Sequence, residues 1–144
     1  MKKDFGRGKE MLDVLPILVV CAEGEHRGKI VETIRECGLR PACCCNLSEA
    51  QRLLDRQNFS VVFCNDTLPD GDLCTIMNEL RKSSADVPVI VLSRLADWDA
   101  YLTALGAGAF DYIAWPPDSA ETERILWAAL KESSQFHRLA RGAA

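Results

Sequence analysis

At 144 residues, with 48% hydrophobic and 26% charged side chains, the chain has the make-up of one globular domain with a full core. A formal net charge of -4 and a pI near 5.2 argue against a nucleic-acid surface. No apolar run reaches the roughly 20 residues that a bilayer span needs, and charges from Lys2 to Asp13 interrupt any signal-like segment, so the chain reads as cytoplasmic. The seven cysteines (Cys21, Cys37, Cys43, Cys44, Cys45, Cys64 and Cys74) contain no CxxC pair. They fit small buried hydrophobes better than a disulfide framework or a metal site.

Residues 1–14 are charged and aperiodic, and read as a loose leader. Leu15–Val20 is a short buried strand, β1, ending at Cys21. Helix α1 follows from about His26 to Cys37, with Ile30, Ile34 and Cys37 on one face and Gly38 closing it. Arg40–Cys45 is β2, and Pro41 favours an edge position. Ser48 to Gln51 has the spacing of a capping box and opens α2, with Ala50, Leu53 and Leu54 inward. Phe59–Cys64 is β3. Asp70 or Asp72 caps α3, whose stripe is Leu73, Ile76, Met77 and Leu80. Val87–Leu92 is β4, a continuous apolar run of the kind buried on both faces. Asp97–Leu105 is α4, with Tyr101, Leu102 and Leu105 as core, ended by Gly106 to Ala109. Phe110–Ala114 is β5, and Asp118 or Ser119 caps α5 over about Ala120–Ser133. The domain thus spans 15–134, and 135–144 reads as a tail.

Strands alternating with helices across short loops predict an α/β, doubly wound, three-layer sandwich with a parallel sheet. In such folds function collects at the carboxyl ends of the strands. The stretch Val61 to Gly71, an apolar run breaking into Asn65-Asp66-Thr67 and then Leu68-Pro69-Asp70-Gly71, places that end at Asn65.

Three pieces, in order, carry a family resemblance. They are Leu68-Pro69-Asp70-Gly71, the run Val87 to Ser93 with its early Pro88, and Gly108-Ala109-Phe110-Asp111-Tyr112 followed by Pro116. Over roughly Pro16 to Ser133 the chain resembles the receiver domain of two-component response regulators. The resemblance implies a flavodoxin-like fold with strand order 2-1-3-4-5 and a cis bond before Pro116. It also implies a protein that signals and is not an enzyme.

Members of that family accept a phosphoryl group on an aspartate at the end of β3, assisted by Mg²⁺. Carried over position by position, the acceptor is Asn65, and the acidic positions after β1 are Cys21 and Ala22, with Glu23 next. The β4 hydroxyl is Ser93, the β5 lysine is Trp115, and the β5 switch aromatic is Tyr112. An amide is not a nucleophile at neutral pH. Mg²⁺ wants oxygen ligands and negative charge, and Trp115 removes the cation that would balance phosphate. The resemblance therefore implies an atypical, phosphorylation-independent receiver, with no metal and no cofactor.

Two alternatives stay open. One is unconventional phosphorylation at Asp66 with Mg²⁺ on Glu23, or a weak cation site of Glu23, Glu25 and Asp70. The other is a thiol-redox or small-ligand sensor around Cys21, Cys64, Asn65 and Ser93. His26 and His137 are too isolated to be catalytic candidates. Trp98 and Trp127 lie on elements that form the family's dimer or partner face of helix α4, strand β5 and helix α5, so a protein partner or homodimer is expected there.

Overall fold

A computed structural model describes residues 15–83 and 86–133; the expected leader and tail lie outside them. The elements are β1 Ile17–Val20, α1 Gly24–Glu36, β2 Pro41–Cys44, α2 Leu47–Arg56, β3 Val61–Asn65, α3 Leu73–Ser83, β4 Val89–Ser93, α4 Trp98–Gly106, β5 Asp111–Ala114 and α5 Ser119–Glu132. The strands form one parallel sheet in the order β2-β1-β3-β4-β5, the expected flavodoxin-like arrangement. Pro41 lies on an edge strand, and Gly38 closes α1 with a positive φ of 79°.

The sheet pleat sorts the apolar residues into two cores. Val19, Phe63, Ile90 and Ile113 face α1 and α5, where Ile30, Ile34, Ile125 and Leu126 meet them. Leu18, Val20, Val62, Cys64 and Val91 face α2, α3 and α4, against Ala50, Leu54, Ile76, Met77 and Leu80. Every residue of β1, β3 and β4 is buried, which is why their sequences read as continuous apolar runs.

Three local expectations are corrected, and the open choice between Asp70 and Asp72 as the cap of α3 is decided. Helix α1 begins at Gly24, ahead of His26. The cap of α2 is Asn46, whose side chain accepts from the Glu49 N–H at 2.9 Å, while Glu49 reaches back to the Cys45 N–H at 3.1 Å. The reciprocal capping pair is therefore Asn46 and Glu49, two residues earlier than Ser48 and Gln51, because only there does the side chain meet the first free N–H groups. Asp72 caps α3 through the Thr75 N–H at 3.0 Å. Asp70 serves the other helix, accepting from the Leu47 and Ser48 N–H groups of α2 at 2.8 and 3.0 Å. Finally, Leu102 is 47% exposed, and Ala104 is the buried residue of α4. The other two expected core residues, Tyr101 and Leu105, are only half-buried, and Ala100, Thr103 and Ala104 line a small cavity between the helix and the sheet.

The turn after β3 is thus stapled to a neighbouring helix. Leu68 and Gly71 exchange backbone hydrogen bonds of 2.9 and 3.2 Å, and Asp70 at the apex supplies the α2 N-terminus with a carboxylate. These N–H groups hold the Asp70 carboxyl below its ordinary range. Asp70→Ala should cost about 1 kcal/mol in denaturant melts at pH 7. The folded-state pKa is depressed, so that cost should be complete above the ordinary value of 3.8 and shrink as pH falls through it.

Candidate functional site

The carboxyl ends of β1, β3 and β4 enclose an open cleft of about 460 Å³, lined among others by Ala22, Glu23, Asn65, Asp66, Ser93 and Arg94. The register of the central strands builds it. Val20 lies opposite Cys64, so Asn65 ends β3 beside the loop that leaves β1. Its side-chain oxygen accepts the Ala22 N–H at 3.0 Å. Asn65 is buried, and its amide is thereby used as a brace between β3 and the β1–α1 loop.

Across the cleft, the Ser93 hydroxyl oxygen accepts the Leu95 N–H at 3.0 Å. The Tyr112 hydroxyl donates to the Leu95 carbonyl. Tyr112 meets Tyr101 edge-on with centroids 5.9 Å apart, and Tyr101 lies against Trp98 at 5.2 Å. An unbroken series of contacts therefore runs from Ser93 to Trp98, whose ring is 69% exposed. Trp127 is different: it is half-buried against the α1–α5 core.

Trp115 precedes a cis bond to Pro116, and its ring packs edge-on against His26 with centroids 5.1 Å apart. His26 is 1% exposed, and neither ring nitrogen has a hydrogen-bond partner. The Trp115 ring thus covers a buried imidazole. Sequence reading set His26 aside as too isolated for catalysis and did not show its burial, although stepping the Ile30 and Ile34 stripe back by four residues reaches it. It also overlooked Arg94, which pairs with Glu23 at 2.5 Å; a charged residue directly after an apolar strand run was the available signal.

The expected alternatives fare unevenly. Asp70 is committed to α2, so Glu23, Glu25 and Asp70 do not converge. Cys21 and Cys64 face opposite cores. Burial raises both thiols, that of Cys64 well above the ordinary value, and pushes Cys44 to about 12 and Cys37 to about 11, which opposes thiolate chemistry. The donors also do not fit Mg²⁺, which demands near-octahedral oxygen coordination. Glu23 is engaged by Arg94 and the Asn65 oxygen by Ala22. Among the described residues no group of three or more His, Cys, Asp or Glu could hold a metal ion.

Burial lowers the His26 pKa; Glu23 opposes this, Arg94 adds to it, and Asp66 opposes it. With the folded-state pKa below the ordinary 6.5, the unfolded chain takes up the proton first, and stability falls as pH drops through that value. His26→Phe, which removes the two unpartnered nitrogens, should be at least as stable at pH 7.5. It should also lose less in melting temperature than the wild type between pH 7.5 and 5.5.

Known proteins agree with this architecture. The response regulator receiver domain family matches residues 17–126. The response regulator PilR of Pseudomonas aeruginosa is 27% identical over 114 residues, which are 79% of this chain and 26% of PilR. A probable transcriptional regulator, ycf27, of Guillardia theta is 32% identical over 120 residues, 83% of this chain and 46% of its own length. This chain therefore spans less than half the length of these two relatives. Among solved structures, the receiver domain of the sensor histidine kinase PA1611 of Pseudomonas aeruginosa, determined with a magnesium ion in its active-site cleft, superposes with a TM-score of 0.73. It is 28% identical, over 82% of this chain and 98% of that one. Among the described residues, no helix is long and apolar enough to cross a membrane. With the family matched over most of its length and its strand order reproduced, this chain belongs to the response regulator receiver domains of two-component signal transduction.

Proposed function

We propose that this chain is an atypical receiver that signals by protein–protein interaction, without accepting a phosphoryl group. The observation that carries this reading is Asn65. It ends β3 at the base of the cleft, and its amide oxygen is bonded to the Ala22 N–H. An amide nitrogen is not nucleophilic at neutral pH, and the oxygen accepts the Ala22 N–H. Trp115, packed on His26, supplies no charge for phosphoryl oxygens. Ser93, the retained hydroxyl, is bound to Leu95 within its own loop.

The output surface in this reading is the face of α4, β5 and α5. Leu95, Trp98 and Leu102 are the large apolar side chains exposed among the described residues, and all three lie on α4 or the loop leading into it. Exposed aromatics of this kind anchor interfaces. The aromatic contacts from Tyr112 through Tyr101 to Trp98 link this patch to the cleft.

Intact-mass spectrometry after incubation with acetyl phosphate and Mg²⁺ should show no phosphate mass on the wild type. A stoichiometric gain, mapped to Asp66 and abolished by Asp66→Ala, would overturn the reading. Trp98→Ala should leave thermal stability within about 0.5 kcal/mol, yet reduce self-association in sedimentation velocity at high protein concentration.

A further inference from the structure

Arg94 is a cation that the family resemblance does not call for. It follows Ser93 at the carboxyl end of β4, and its Nη1 donates to Glu23 Oε1 at 2.5 Å. Glu23 belongs to the loop after β1. Because β3 lies between β1 and β4, the pair bridges roughly 10 Å of sheet and passes over the end that carries Asn65. The loop holding Arg94 has a set path, since the next residue, Leu95, donates to Ser93 and accepts from Tyr112. The charged residues lining the cleft are Glu23, Asp66 and Arg94.

We propose that Arg94 is the resident cation of this cleft: its guanidinium takes up the Glu23 carboxylate and thereby excludes divalent metal from the carboxyl ends of β1, β3 and β4. The inference rests on the metal-independent reading above and gives its physical cause. A dication entering the cleft must break the Glu23 pair and give up hydration that it releases reluctantly. It must also sit beside a second positive charge. Without Arg94, Glu23 and Asp66 stand as two unpaired carboxylates lining one cleft, and a weak cation site opens between them.

The test is titration with Mn²⁺, read as loss of the free-ion electron paramagnetic resonance signal. It compares the wild type with Glu23→Gln, Arg94→Ala, Arg94→Lys and Arg94→Ala combined with Glu23→Gln. The Arg94 side chain is 64% exposed, so these variants should fold; Arg94→Gln repeats the charge loss with more of the side chain kept, should Arg94→Ala unfold. Arg94→Ala should bind Mn²⁺ about tenfold or more tightly than the wild type. Arg94→Lys should behave as the wild type, and Glu23→Gln should abolish the gain. Saturable wild-type binding that Glu23→Gln removes would overturn the inference, as would charge-free variants that bind no tighter than the wild type. If the charge-free variants gain nothing while the wild type also takes no phosphate mass, the Arg94 inference fails alone. Phosphate mass on the wild type overturns the phosphorylation-independent reading whatever the Mn²⁺ result.

Discussion

Burial of β3 on both faces is the constraint on which the rest of the molecule depends. Val61 to Asn65 has no exposed residue, with α1 and α5 on one side and α2, α3 and α4 on the other. A side chain such as Phe63 in that position represents about 3–5 kcal/mol, several times the contribution of a helix cap or a surface ion pair. Strand register cannot slip by one residue without exchanging the two cores. Asn65 is therefore delivered to the base of the cleft, and Ala22 beside it, by hydrophobic packing that has no chemical role itself.

Polar groups at the strand ends then divide the work of fixing three loops. Asn65 holds the β1–α1 loop, Asp70 ties the turn after β3 to α2, and Ser93 with Tyr112 holds the β4–α4 loop. These contacts are local and individually small, about 1 kcal/mol each, yet two of them are made by Asn65 and Ser93, the positions that the family resemblance singles out for chemistry. Side chains that could face a ligand are instead bonded to the protein's own backbone. This is consistent with a receiver whose signal lies in the surface that those loops support.

Helix α4 shows how sequence pattern and tertiary packing part company. Tyr101, Leu102 and Leu105 form an apolar band that periodicity assigns to the core. The structure makes another choice, burying only Ala104 of this helix, with Ala100, Thr103 and Ala104 lining a small cavity against Val91 and Tyr112. The large residues are left to Tyr112 or to the surface. The same limit applies to Asp70: a carboxylate three residues before a helix reads as a candidate for that helix's cap, and only the path of the turn reveals that another helix is nearer.

The sequence by itself determined the five strands and five helices, their parallel order once the family resemblance was seen, the edge position of β2, and the residues at the strand ends. Those features follow from periodicity and from motifs contiguous in the chain. Tertiary structure alone decided that Arg94 meets Glu23, 71 residues away, that Trp115 covers His26, that Cys21 and Cys64 face apart, and that Asp70 belongs to α2. Each is a contact between segments distant in sequence, set by strand register and by which side of the pleat a residue occupies. No local propensity encodes that geometry.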